Sequence, residues 1–143
     1  MKHLKYFESS QEEDYLRDYG ITPDELLYFF TDLIDEGWIV RPRFYKKLYK
    51  FDVNEPIKND DIKLGLVPYI DVMVWKDWPR FDVSIYQANK YLNELINSKE
   101  YLEMIEVVSE RLKDLNLFIQ RQYIENKQLN ILIYRKTDEN YVK

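Results

Sequence analysis

Asp71, Asp77 and Asp82 fall close together beside Lys76, and Asp60 and Asp61 precede them. Converging carboxylates with a lysine nearby are what a magnesium-dependent nuclease needs to hold its ions. The spacing argues against that chemistry. Asp71 and Lys76 are five positions apart, so in a regular strand they point to opposite faces. Between Asp71 and Asp82 there is no Asp-x-Lys or Glu-x-Lys pair, which would share a face. Asp77 and Asp82 read as turn residues. Other catalytic designs lack parts. The chain has no cysteine and one histidine, His3, so Ser-His-Asp and Cys-His machinery cannot be assembled. His3 reads as a solvated surface residue. Disulfides and zinc–thiolate sites are absent for the same reason. The glycines, Gly20, Gly37 and Gly65, stand too far apart for a phosphate-cradling loop. The expectation is a protein that is not an enzyme and takes no metal or cofactor.

Binding chemistry is better represented. The stretch RPRFYKKLYKF, Arg41 to Phe51, holds five cations and four aromatic rings and no acid, in a chain of net charge −5. Such a mixture suits bases stacked on rings with phosphates on the cations, and it also suits a protein interface, where Trp, Tyr and Arg are enriched. Charge is unevenly spread. Residues 8–36 carry ten acids and one cation, Arg17, just before the basic stretch. The molecule is expected to be electrically lopsided, which steers partners without naming them.

At 143 residues the chain suits a single domain, 1–143, large enough for a real core. Thirteen tyrosines and seven phenylalanines against three glycines indicate an ordered, loop-poor domain. The N-terminal residues turn acidic by Glu8 and do not read as a secretory signal. No apolar run reaches the ~20 residues that span a bilayer, so no membrane association is expected.

The elements that must position these residues follow from periodicity. Thr22, Pro23, Asp24 and Glu25 form a helix start, with a capping hydroxyl, a proline at the first position and acids at the positive dipole end. Leu26, Phe29, Phe30, Leu33 and Ile34 continue it, and Gly37 ends it. A strand runs from Trp38 to about Phe51 and a second from Tyr69 to Lys76. Ser98 caps a second long helix with an apolar stripe of Leu102, Ile105, Val108, Leu112 and Leu115, ended by Asn116. Strands LNLFIQRQYIE and QLNILIYRK follow, joined by a tight turn at Asn126 and Lys127. Residues 77–97 form an insert with a short extra helix carrying Tyr91, Leu92, Leu95 and Ile96 on one side. Residues 1–20 stay open between a mobile segment and a helix within SSQEEDYLRDY.

The halves resemble each other. LIDEGWIV (33–40) lies over LKDLNLFI at an offset of 79, and YIDVMVWK (69–76) over QLNILIYR at 59. The order is αββαββ, an α+β fold. Its expected form is one four-stranded antiparallel sheet with both long helices on one face, a circular permutation of the ferredoxin-like plan.

Alternation then assigns faces. Trp38, Val40, Pro42 and Phe44 point to the helices. Arg41, Arg43, Tyr45, Lys47 and Tyr49 point outward, joined by Tyr69, Met73, Trp75, Phe118, Gln120, Leu132 and Tyr134. So aromatic an outer face calls for a cover. Three covers compete: the 77–97 insert, a protein partner or second copy, or single-stranded nucleic acid. Asp71 on that face and the acidic chain count against the last. WKDWPRF, with Trp75, Trp78 and Pro79, reads as an aromatic corner, either core or interface hot spot.

The opening MKHLKYFES resembles the start of many small uncharacterised proteins of large tailed bacteriophages. Some internal head proteins of such phages begin with an M-K-x-x-x-F/Y-x-E segment that targets the prohead. Met1, Lys2, Phe7 and Glu8 are similar to it, with Phe7-Glu8 spaced differently. The resemblance implies a viral accessory or virion-associated protein, in the host-cell cytoplasm or the virion. The expected function is non-enzymatic binding of a protein (host factor, virion protein or self). The contact residues would be Arg41, Arg43, Tyr45, Lys47, Tyr49, Tyr69, Trp75 and Tyr134. Single-stranded nucleic-acid binding is the alternative and a metal-dependent nuclease the remote one.

Overall fold

The computed structural model describes residues 12–45, 68–78 and 84–135. Among these, four strands form one antiparallel sheet: β1 (Ile39–Tyr45), β2 (Tyr69–Trp75), β3 (Leu117–Glu125) and β4 (Gln128–Arg135). Their order is β1-β2-β4-β3. This α+β arrangement, αββ twice with four antiparallel strands, is the one the periodicity predicts, and its strand order is compatible with a permuted ferredoxin-like plan.

The internal similarity extends to the hydrogen-bonding register. An offset of 59 carries Val72 onto Ile131, and these two residues lie directly opposite each other in the β2–β4 pair. The β1–β2 pair Ile39↔Trp75 corresponds to the β3–β4 pair Phe118↔Tyr134. The match continues to Ile119 and is then displaced by a bulge between Ile119 and Arg121. The half-repeats therefore sit about a pseudo-two-fold axis at Val72 and Ile131.

Five helical segments accompany the sheet among the described residues. Residues 12–19 form α1, and its Tyr19 is buried, so the helix expected within this stretch is present and packed. The expected long helix after Thr22 is instead two pieces, α2 (Pro23–Phe29) and α3 (Thr31–Asp35). Phe30 breaks the helical dihedrals at φ −105°, ψ 21°. Thr31 Oγ1 donates to Tyr28 O at 2.6 Å and stabilises that break by occupying a carbonyl the helix would otherwise use. In the insert, α4 (Ile85–Ile96) starts with a reciprocal capping box between Ser84 and Gln87. The long α5 (Lys99–Asp114) is capped by Ser98, as expected.

The α5 stripe is rotated from the expected one. Tyr101, Met104, Val108 and Leu112 are buried, and Leu102 is 52% exposed. Tyr101 takes the core position with its ring, while its hydroxyl reaches an acceptor at the edge of the core, Gln122 Oε1 on β3. The main core lies between this helix layer and one sheet face, and includes Phe30, Leu33, Val72, Val74, Leu112 and Ile131.

Both long-helix regions end in left-handed residues at equivalent places. Gly37 has φ +94° and Asn116 φ +60°. At the first end, Gly37 N–H donates to Ile34 O and Trp38 N–H to Leu33 O, both at 3.0 Å, closing a Schellman motif. A Cβ on Gly37 would meet nothing within 4 Å. Gly37→Ala is therefore expected to cost about 1–2 kcal/mol through backbone strain alone. Asn116→Gly should be neutral or slightly stabilising. Urea unfolding of the two variants checks this, and an unaffected Gly37→Ala would contradict it.

Candidate functional site

The structure divides the sequence-predicted residues between two faces. The outer face carries Arg41, Arg43, Tyr45, Tyr69, Asp71, Met73, Trp75, Phe118, Leu132 and Tyr134, as alternation requires, whereas the expected Gln120 falls in the β3 bulge and Arg121 and Tyr123 continue that face instead. Lys47, Tyr49, His3, Asp60, Asp61 and Asp82 lie outside the described residues, as does the MKHLKYFES segment. The rings at the centre of this face are not surface. Tyr69, Leu132 and Tyr134 form a second buried cluster, with Tyr45, Phe118 and Tyr123 packed on it. Tyr45 and Tyr69 stack at 4.8 Å and 13°. Asn130, itself buried, donates to both Asp71 oxygens at 3.0 Å. Tyr69 and Tyr134, expected as contact residues, are thus interior, because tyrosine buries its ring readily when neighbouring rings supply the packing. Arg41 and Arg43 are exposed, and the Arg41 guanidinium lies 5.6 Å from the Trp75 ring centroid.

The insert does not place its helix over that face. Ala88 and Leu92 of α4 are buried, and Leu92, Leu95 and Ile96 join the main core on the helix side. Trp78 Nε1 donates to Lys127 O at 3.1 Å, and Lys127 N donates to Asn89 Oδ1 at 3.1 Å, fastening the insert to the β3–β4 turn. The aromatic corner is also divided. Trp75 belongs to the outer face, whereas Trp78 packs on the helix side against Trp38 (6.2 Å, 80°) and Tyr91 (6.2 Å, 22°). Asp71 and Lys76 face opposite ways, as their spacing predicts. Lys76 Nζ lies 4.5 Å from the Trp38 centroid on the helix side. Among the described residues no group of three or more His, Asp or Glu converges as around a metal ion, and no helix is long and apolar enough to cross a membrane.

The helix side holds a feature that local sequence patterns do not show. A groove of about 1440 Å3 opens between the α2–α3 pair and the α4–α5 pair. Its floor includes Leu33, Trp38, Trp78, Tyr101, Met104 and Val108. Around its mouth stand Tyr28, Tyr91 and Val107, exposed by 70%, 56% and 53%. One wall presents Asp32, Asp35 and Glu36, and the facing wall presents Glu94, Glu100 and Glu103. Asp77 lines the groove as well, and the cations among its lining residues are Lys76 and Arg111. Both cations lie against groove rings, Lys76 on Trp38 and Arg111 5.6 Å from the Phe29 centroid. Among the described residues only Glu103 of these carboxylates is in a salt bridge, with Lys99 at 4.0 Å.

No family model, curated protein or solved structure matches the chain. The geometry alone carries the functional argument. Sequence reasoning missed the groove because its walls come from residues 28–38, 76–78 and 91–111, which no local window joins. One part of it was legible: the acidic block before the basic stretch supplies one wall.

Proposed function

We propose that this protein is a non-enzymatic domain that binds a protein segment in the groove between its two helical walls. The observation that supports this is the groove itself, apolar and aromatic at its floor, with exposed Tyr28, Tyr91 and Val107 at its mouth. Its volume of about 1440 Å3 exceeds the ~300–1,000 Å3 usual for small-molecule pockets. Exposed aromatic and aliphatic side chains gathered around one depression are the usual mark of an interaction surface. The outer sheet face is the weaker contact surface, because its central rings pack on one another.

Site-specific photo-crosslinking tests this. A photoreactive residue at position 107 in the groove is expected to give discrete protein adducts in native lysate. The same residue at position 86 on the far side of α4, where Tyr86 is 78% exposed, is expected to give none. A third at position 43 samples the outer face. Adducts from position 43 alone would move the contact surface to the sheet.

A further inference from the structure

The groove's charge, its rings and the sheet edges together specify what kind of segment fits it. We infer that the occupant is a lysine- or arginine-rich amphipathic helix of a partner protein, an inference that rests on the groove being the binding site. The charge is one-sided. Among the described residues two cations and seven carboxylates line the groove. An acidic or neutral segment would meet uncompensated repulsion or leave those carboxylates unpaired, whereas a basic one complements both walls at once.

The rings point the same way. The groove's own cations already rest on ring faces at Trp38 and Phe29, the geometry by which aromatic faces attract cations. An incoming ammonium or guanidinium can add to Tyr28 or Tyr91, which are exposed at the mouth. Between its cations the segment needs aliphatic side chains to cover Val107 and the half-buried Trp78 ring.

Backbone chemistry selects a helix over an extended strand. An extended peptide needs a sheet edge to satisfy its N–H and C=O groups. Among the described residues the groove is walled mainly by helices and gives no such edge. The sheet's own edges lie elsewhere and are blunted, β1 by Pro42 and β3 by the bulge between Ile119 and Arg121. A helix satisfies its backbone internally and can present apolar anchors at i, i+3, i+4 and i+7 with cations flanking them. An exposed acidic helix wall meeting a basic helix is strengthened further by the low dielectric of a partly enclosed groove.

The test uses three fluorescein-labelled peptides of about 18 residues, roughly 27 Å as a helix. The first is a lysine–leucine amphipathic helix. The second replaces every lysine with glutamate, and the third keeps the composition of the first with its leucines scattered around the helix. Anisotropy titration is expected to show binding of the first peptide and at least tenfold weaker binding of the other two. The double variant Asp35→Lys/Glu94→Lys should weaken the first peptide at least tenfold. Both substitutions fall in last turns of helices, where lysine is favoured, so folding is expected to be retained. Arg41→Glu on the outer face should leave binding unchanged. Raising salt from about 0.05 to 0.5 M should weaken it, since the Debye length falls well below 10 Å. Equal binding of the lysine and glutamate helices would overturn the basic class while leaving the groove as a docking site. Binding indifferent to Asp35→Lys/Glu94→Lys would also overturn it. No binding by any peptide, together with no adduct from position 107, would overturn both the occupant and the site.

Discussion

Phe30→Ala is expected to destabilise the protein by about 3–5 kcal/mol, the range for truncating a fully buried phenylalanine. Phe30 is 0% exposed and sits where α2 gives way to α3. Two effects combine there. The ring fills the core beneath both short helices, and its loss leaves a cavity that fixed neighbours cannot collapse. The backbone at Phe30 is also a shared joint. Its N–H donates to Leu27 O at 3.0 Å, and its carbonyl accepts from Leu33 and Ile34 N–H at 3.1 and 3.2 Å. Helices of seven and five residues are far below the length that is stable alone. They persist only because Leu26, Phe30 and Leu33 bury against the sheet. Against a total of ~5–15 kcal/mol for a domain, the loss is large. With a urea m-value of ~2 kcal/mol/M the midpoint should fall by roughly 1.5–2.5 M. Ile34→Ala is the matched comparison. Ile34 is 41% exposed, and its truncation should cost under ~1 kcal/mol. A Phe30→Ala cost no larger than that of Ile34→Ala would show that α2 and α3 are held by something other than this ring. Because α2 and α3 form one wall of the groove, the destabilised variant should also bind the lysine–leucine helix less tightly.

The Phe30–Ile34 contrast indicates what the sequence could and could not disclose. Period-two alternation assigned the faces of β1, β2 and β4 because each side chain in a strand has one of two directions, and on β3 it held only as far as the bulge after Ile119. The repeat offsets agree with the register, since Val72 and Ile131, equivalent in sequence, are partners in the sheet. Helical phase was less legible. Phe29, Phe30, Leu33 and Ile34 are all apolar, and periodicity alone does not say which two face the core. In α5 the leucine at 102 outranked the tyrosine at 101 as an apolar residue, yet Tyr101 is the one buried. Its hydroxyl partner, Gln122, is distant in sequence, and such partners decide the burial of polar-tipped rings. The same blindness placed Tyr69 and Tyr134 on the surface, when Leu132 and neighbouring rings enclose them. The groove was least legible of all. It arises from the gap between two helical walls whose separation is set by the four-stranded sheet beneath them. No single stretch encodes that distance.

Tyr101 also sets the expected response to alkali, the second large effect. Burial pushes its phenol well above the ordinary tyrosine value, and its hydroxyl donates to Gln122 Oε1. Tyr19 is raised too, by burial first and then by Asp18 and Tyr15. In the unfolded chain a tyrosine loses its proton near pH 10. The folded state then holds a proton that the unfolded state has released, so unfolding is favoured as pH rises. Stability from this source is complete below about pH 10 and is lost above it, at up to ~1.4 kcal/mol per pH unit for Tyr101. Urea midpoints should be flat from about pH 7.5 to 9.5 and fall steeply beyond. Tyr101→Phe removes the titrating group, so its alkaline slope should be shallower. At neutral pH it should lose about 0.5–1.5 kcal/mol, the net worth of one hydrogen bond, because Gln122 is exposed and water can replace the lost donor. Tyr28→Phe, at a residue 70% exposed, should leave the slope unchanged. Equal slopes in the wild type and Tyr101→Phe would assign alkaline unfolding to other groups. Tyr101 also lines the groove floor, which gives the variant a second use. At pH 7 the phenol is neutral and its oxygen is turned toward Gln122, so Tyr101→Phe should bind the lysine–leucine helix as the wild type does. The carboxylate walls, not this hydroxyl, supply the charge that such a helix meets.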